Sequence, residues 1–215
     1  SAIKPQPQFA VQCAIAFGST VMGRRWVTDR RNFSSLYLLN IGETGSGKEH
    51  TKTVLETMLE QAGLTDLIGP AGYTSGAGVM STLIKKPVHV AVVDELGRQL
   101  KAAAATGMQH KADALTAIME CFGRQDGTLR PQGYSTMTLK SAEAEKLEKF
   151  VRRPSLTLVG MSTPSEFMKA IGGGDVASGL LNRFLIVKSE IGVQLSQRNS
   201  VTTISDRLAK WANEH

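Results

Sequence analysis

The stretch LYLLNIGETGSGK, residues 36–48, decides the fold of this chain. Its first part, residues 36–41, is an apolar run of strand length, which is typical of a strand covered on both faces. Its second part has glycine at positions 42, 45 and 47, followed by Lys48. Glycine lets successive backbone N–H groups turn inward around phosphate oxygens. The pattern therefore predicts a phosphate-binding loop of the P-loop (Walker A) type.

A helix is predicted directly after this loop. Residues 48–62 carry apolar side chains at helical spacing, and Gly63 ends the pattern. The positive end of the helix dipole then faces the phosphates, and Lys48 reaches the β- and γ-phosphates of ATP. The predicted ATP contacts are Gly42, Glu43, Thr44, Gly45, Ser46, Gly47, Lys48, Glu49 and His50.

The residue after the lysine departs from the Walker A motif. That motif has Ser or Thr there to ligate magnesium, whereas this chain has Glu49. A carboxylate is itself a hard oxygen ligand, so Glu49 is expected to hold Mg²⁺ directly or through water. The alternative is that its negative charge weakens triphosphate binding.

A second apolar strand, residues 88–93, ends at Asp94 and Glu95. Apolar strand residues followed by Asp-Glu match the Walker B pattern. Asp94 is expected to hold Mg²⁺, and Glu95 to polarise the attacking water. A strand that simply ends in an acidic helix cap is the plainer interpretation, but the position after a phosphate loop favours the catalytic one.

Two further catalytic candidates follow later in the chain. A third buried strand, residues 156–161, ends at Ser162 and Thr163. In ATPases that insert a strand between the two Walker strands, a polar residue here contacts the γ-phosphate and the attacking water; alternatively, Thr163 caps the next helix. Arg183 is expected to enter the neighbouring subunit's site and neutralise phosphoryl charge, with a surface salt bridge as the alternative.

Strands alternate with helices along the chain. Together with the phosphate loop, this order predicts an α/β fold, namely a three-layer α/β/α P-loop NTPase with a mostly parallel central sheet. The other predicted helices span residues 8–22, 79–86, 111–122, 141–150, 165–170, 176–182 and 204–213. A fourth strand covers 184–187, a mobile connector 102–109, strand and turn character 127–139, and a glycine loop 172–174.

Composition limits the class of protein. With 215 residues, of which 41% are hydrophobic and 20% charged, the chain suits a single globular domain. We divide it into an N-terminal helix with a basic connection (1–33), a Walker core (34–190) and a C-terminal tail helix (191–215). The Ser-Ala start without Met suggests a fragment of a longer protein. No apolar run is long enough to span a membrane, and the two cysteines form no metal or redox motif, so we expect a cytoplasmic location.

Basic residues form clusters, and the formal net charge is +6. One cluster is Arg24, Arg25, Arg30 and Arg31, and another is Lys146, Lys149, Arg152 and Arg153. Each of these two clusters is either a contact to single-stranded DNA or solvated surface, and the sequence leaves both open. Arg124, Arg130 and the tip at residues 125–133 form either a basic loop that faces a central channel or a surface turn. His89, inside an apolar strand, is expected to be a core histidine.

With these motifs in order, the chain resembles the AAA+-like helicase modules found beside primase domains in phage, plasmid and mobile-element replication proteins. The resemblance implies the AAA+/RecA-like form of the P-loop NTPase fold. It also implies a hexameric ring that hydrolyses Mg²⁺-ATP at subunit interfaces and moves along or remodels DNA in the bacterial host cytoplasm, with a fused or associated primase. The segments that carry it are 23–25, 36–48, 92–95, 158–164 and 179–185.

The leading functional hypothesis is thus an ATP-dependent DNA helicase or translocase module. Its rivals are a nucleotide-binding assembly or regulatory module with little hydrolysis, which Glu49 favours, and a DNA-packaging type of motor. A small-molecule kinase fits less well, because the Asp-Glu pair and the late arginine suit a ring motor better.

Overall fold

The computed structural model describes residues 5–103, 105, 107–131, 150–171, 179–192 and 203–215. The helices are α1 (Pro7–Val21), α2 (His50–Gln61), α3 (Gly76–Lys85), α4 (Leu96–Ala103), α5 (Gln109–Gly123), α6 (Pro164–Ile171) and α7 (Asp206–Glu214). The strands are β1 (Tyr37–Ile41), β2 (Val88–Val93), β3 (Thr128–Leu129), β4 (Val151–Arg152), β5 (Ser155–Ser162) and β6 (Phe184–Lys188).

Four of these strands form one parallel sheet in the order β2-β5-β1-β6. In its register Tyr37 lies beside Leu158 on one side and Phe184 on the other, and Val88 lies beside Ser155. β5 thus separates β1, which leads into the glycine loop, from β2, which leads into the acidic pair. The short strands β3 and β4 pair antiparallel as a separate two-stranded sheet.

Helices cover both faces of the parallel sheet. Side chains alternate along a strand, so neighbours such as Leu38 and Leu39 enter opposite layers. Leu39 belongs to a buried cluster with α3, α4 and α5, and Leu38 to one with α1, α2 and α7. Every residue of β1 and β5 is buried. The chain is therefore an α/β protein with a parallel sheet between two helical layers, consistent with the predicted three-layer α/β/α arrangement.

Apart from the two-residue strand β4, which was not predicted, the predicted elements agree with the structure except at three places. α4 was not predicted, and residues 102–103 of the expected connector form its end. Helix α3 begins at Gly76, three residues early, because the Ser75 side chain accepts a hydrogen bond from the Gly78 N–H and caps it. The predicted strand character at 127–139 is limited, among described residues, to β3. Predictions at 132–149 and 172–178 fall outside the described residues.

Parallel pairing gives the sheet two distinct edges. The residues that follow β1, β2, β5 and β6 share what we call the carboxyl edge, and those that precede these strands share the amino edge. In open parallel sheets, ligands bind outside the carboxyl ends of the strands. A search of the described residues for a helix long and apolar enough to cross a membrane finds none.

Candidate functional site

The glycine loop, residues 42–48, leaves β1 at the carboxyl edge. Its first N–H, on Gly42, donates to the Ser162 carbonyl over 3.1 Å and so ties the loop to β5. Gly45 and Gly47 have φ of 73° and 92°, a conformation that favours glycine. A Cβ on Gly42 would lie 2.8 Å from Ser46 Oγ. The backbone of this loop therefore requires glycine at these three positions.

Lys48 lies at the end of the loop with only 5% of its surface exposed. Its Nζ is 3.2 Å from Glu49 Oε1, and the Glu49 side chain is 55% exposed. Burying an ammonium group is costly unless an anion faces it. The Glu49 carboxylate supplies that anion here. This ion pair with Lys48 is an arrangement that neither of the two predicted roles of Glu49 included.

Helix α2 begins at His50, immediately after the loop. The first N–H groups of a helix have no partner within the helix and favour anions. Partial burial lowers the pKa of His50, so its ring is neutral near pH 7. Two buried polar atoms beside the helix start, Asn40 Oδ1 and Ser46 Oγ, have no hydrogen-bond partner in the described part of the chain.

Asp94 and Glu95 follow β2 at the same edge, and both are exposed. The Asp94 Oδ1 accepts from the Glu95 N–H over 2.8 Å, and Glu95 has φ of 50°. A non-glycine residue held in this region costs about 1 kcal/mol or more and often marks a functional site. The Glu95 carboxylate pairs with Arg98 over 2.6 Å.

Only one strand, β5, lies between the ends of β1 and β2. Val93 is level with Gly160, and Ile41 is level with Ser162. Two strand spacings correspond to about 10 Å. The glycine loop and the acidic pair therefore flank a common space at the carboxyl edge.

Ser162 and Thr163 end β5, between the other two components. Ser162 is buried, its Oγ donates to the Thr163 carbonyl over 3.1 Å, and a Cβ on Gly97 would lie 2.5 Å from that Oγ. The start of α4 therefore covers Ser162. Thr163 Oγ1 accepts from the Glu166 N–H over 3.3 Å, so the structure contains the helix cap that was the alternative role for Thr163.

Arg183 lies away from this group of residues. It precedes β6, and Phe184 is level with Tyr37 at the start of β1, so Arg183 is at the amino edge. Its guanidinium donates to the Gly179 carbonyl. The length of β1 separates it from the glycine loop of its own chain by about 17 Å. Arg183 and the glycine loop of the same chain therefore lie at opposite edges of the sheet.

Gln6 is a site residue that the sequence pattern did not reveal. It is 5% exposed, and its Nε2 donates to the Ser46 carbonyl over 3.0 Å. Its Oε1 accepts from the Ser189 hydroxyl, which follows β6. Gln6 therefore links the middle of the glycine loop to the end of the neighbouring strand.

The residues present fit a nucleotide-bound magnesium ion better than a metal held by protein alone. No group of three or more His, Cys, Asp or Glu side chains suited to a metal occurs among the described residues. Magnesium in nucleotide sites takes only one or two protein carboxylates, with phosphates and waters as its other ligands. Asp94 and Glu49 meet that requirement, and glycine backbone with orphaned polar atoms beside it suits a phosphate chain.

Comparison of the whole chain with protein-family models, with curated proteins and with solved structures yields no match. The fold and the site therefore establish the structural class: this chain is an α/β protein whose parallel sheet carries a glycine loop, a buried lysine and an acidic pair at one edge.

Proposed function

We propose that this chain is a P-loop ATPase module that acts as an ATP-dependent DNA helicase or translocase. One observation carries the proposal: the parallel sheet brings Lys48, the pair Asp94-Glu95 and Ser162 to the same edge, although they come from distant parts of the sequence. Buried lysine, glycine backbone and exposed carboxylates around one space suit a magnesium-bound triphosphate.

Each residue then has a defined task. The backbone N–H groups of residues 42–48 and the Lys48 ammonium bind and orient the β- and γ-phosphates of ATP. Asp94 and Glu49 hold Mg²⁺, which neutralises phosphate charge when it is bound. Glu49 faces Lys48 over 3.2 Å, so to hold the metal this carboxylate would have to leave the ammonium group.

Glu95 is the residue that orients the attacking water and accepts its proton. Its carboxylate is exposed and held by Arg98 over 2.6 Å. Because α4 covers Ser162, the partly buried Thr163 beside it is the candidate contact to the γ-phosphate.

Arg183 supplies the part of the site that comes from a second subunit. Its place at the amino edge supports action in trans, in a ring that resembles the hexamers of replicative helicase modules. Activity in DNA replication, beside a primase in the host cytoplasm, belongs to the same proposal and follows from the resemblance alone.

ATP turnover with and without single-stranded DNA tests the proposal. We expect turnover in the wild-type chain, and a loss of at least about 100-fold in Lys48→Ala and in Glu95→Gln. Lys52→Ala and Glu60→Gln, on the same helix α2 but outside the site, serve as matched controls. If the wild type hydrolyses ATP no faster than Lys48→Ala, the enzyme proposal is wrong.

Mixed oligomers test the role of Arg183. If both residues are essential, the variants Lys48→Ala and Arg183→Ala are each inactive alone. In a mixed oligomer, the intact glycine loop of an Arg183→Ala subunit can face the intact Arg183 of a Lys48→Ala subunit. We expect partial recovery of turnover on mixing, and the absence of recovery contradicts action in trans. Strand displacement on a forked DNA distinguishes a helicase from a packaging type of motor.

A second candidate function is a nucleotide-binding assembly module with little hydrolysis. Two ion pairs favour it, since Lys48 is bound to Glu49 and Glu95 is bound to Arg98. Both pairs engage groups that hydrolysis needs. Tight ATP binding by calorimetry with no turnover, even when DNA and oligomers are present, would select this candidate.

A further inference from the structure

Basic residues that are distant in sequence come together at the amino edge of the sheet. Gly23, which ends the α1 segment, lies so close to the amino ends of β5 and β2 that a Cβ on it would be 2.5 Å from Ser155 Oγ. The following segment, residues 24–33, contacts the β3-β4 sheet at two points. Arg31 pairs with Asp126, and the Arg153 guanidinium lies 5.5 Å from the centre of the Phe33 ring.

The resulting surface is strongly positive. We call it the arginine surface and define it by Arg24, Arg25, Arg30, Arg31, Arg124, Arg130, Arg152 and Arg153. The same three segments, residues 24–33, 120–131 and 150–153, contain only Asp29, Glu120 and Asp126 as acids. Arg124 and Arg130 also line a cleft of about 460 Å³. Arginine binds phosphate oxygens in a bidentate manner, so a polyanion suits this surface.

Aromatic rings lie among these arginines. Trp26 is 52% exposed and Phe150 is 53% exposed, which is high for large apolar side chains. The Arg152 guanidinium lies 5.6 Å from the centre of the Phe150 ring, and Val27 pairs with Phe33, which brings Trp26 and Phe33 onto one hairpin. The His215 ring stacks on Trp26 with 5.8 Å between the ring centres, and Arg152 lies over Phe150, so each ring has one remaining face on which an unpaired base can stack.

Backbone strain marks the same surface. Three of its residues, Arg24, Arg31 and Arg153, have φ of 64°, 60° and 48°. In the described chain, Glu95 is the other non-glycine residue with positive φ. Such conformations cost about 1 kcal/mol or more per residue, and they are concentrated where function requires a fixed side-chain direction.

We propose that the arginine surface binds single-stranded nucleic acid, with phosphates on the arginines and bases stacked on Trp26 and Phe150. Duplex DNA offers the phosphates but keeps its base faces covered, so the rings favour the single strand. The surface lies across the sheet from the glycine loop, about 25 Å away along β5. The inference deepens the proposed function by naming where the strand binds, and it rests on that function only for the link to ATP.

Binding of fluorescent 20-nucleotide oligo-dT, oligo-U and a 20-base-pair duplex, measured by anisotropy in rising salt, tests the proposal. We expect either single strand to bind more tightly than the duplex. Arg30→Gln with Arg152→Gln should weaken binding at least tenfold and reduce the slope of log Kd against log salt by about 1.4. Trp26→Ala with Phe150→Ala should weaken it at least about fivefold with the slope unchanged.

The matched control is Arg207→Gln with Lys210→Gln, which removes two exposed charges from α7. Because the changed side chains are exposed, we expect the variants to keep the Tm of the wild type. An unchanged Tm confirms that they are folded. The inference is overturned if the surface variants bind the single strand with the same Kd as the control variant. It is also overturned if the wild type binds the duplex as tightly as the single strand. ATP affinity, measured on the wild type and on the same variants, separates the two proposals. If no chain binds ATP but the surface variants still lose strand binding, only the proposed function is contradicted.

Discussion

Replacing Gln6 by alanine should weaken both the fold and the glycine loop. The side chain is buried, with Nε2 3.0 Å from the Ser46 carbonyl and Oε1 accepting from the Ser189 hydroxyl. Alanine removes both hydrogen bonds and leaves the buried Ser46 carbonyl without this partner, whereas the Ser189 hydroxyl keeps its bonds to Ile191. The loop then loses its attachment to α1 and to the end of β6.

The expected magnitude follows from those contacts. A buried hydrogen bond contributes about 1 kcal/mol, and a buried group left unpaired costs about 1 kcal/mol more. We therefore expect Gln6→Ala to lower the free energy of unfolding by about 2–3 kcal/mol. For a chain of this length, Tm falls by roughly 2–4 °C per kcal/mol, which gives a decrease of about 4–12 °C. Nucleotide affinity should fall about fivefold for each kcal/mol by which the loop is destabilised.

Thermal unfolding with and without ATP is the assay, and Gln8→Ala is the control. Gln8 lies on the same turn of α1, but its side-chain oxygen has no partner in the described residues, so its removal breaks no bond to that atom. We expect Gln8→Ala to melt within about 2 °C of the wild type. Equal Tm values for the two variants would refute the assignment of Gln6 as the residue that positions the loop.

Three further changes test other parts of the structure. Glu49→Gln should raise the Mg²⁺ concentration for half-maximal ATP turnover about tenfold, and an unchanged requirement would contradict metal binding by Glu49. Gly97→Ala places a Cβ 2.5 Å from Ser162 Oγ and should cost about 1–3 kcal/mol in urea unfolding, whereas Gly123→Ala meets open space and should not destabilise the chain. Burial lowers the pKa of His89 to about 4, below its ordinary 6.5, so stability is lost as pH falls from 6.5 towards 4; His89→Gln should remove up to about 3 kcal/mol of that loss.

Local patterns predicted the elements that position the site. The apolar runs that form β1 and β2 are bounded by glycine or acidic residues, and a strand covered on both faces leaves such a run in any sequence. The glycine loop was equally visible, because its backbone conformation requires glycine at fixed spacing. Helix α4 was missed, although Leu96, Leu100 and Ala103 have helical spacing, because its first turn follows directly on the acidic pair.

Contacts between distant residues were beyond prediction from the sequence. Gln6 bonds to residues 40 and 183 positions away, and Arg31 pairs with Asp126, 95 positions away. Such partners leave no local periodicity, because they depend on how the sheet brings chain segments together. His89 was correctly expected to be a satisfied core histidine: it is fully buried, with Tyr73 and the Lys86 carbonyl on its two ring nitrogens.

The positions of Lys48 and Arg183 bear on how copies of the chain would assemble. Lys48 follows β1 at the carboxyl edge, and Arg183 precedes β6 at the amino edge of the same sheet. A contact between one copy's arginine and the next copy's glycine loop joins two different surfaces. Interfaces of that heterologous kind continue from subunit to subunit; they close as a ring when the rotation between neighbours allows it, and otherwise they extend as a filament. A two-fold dimer would instead need one patch that spans both edges, so the proposed action of Arg183 in trans favours a ring over a dimer.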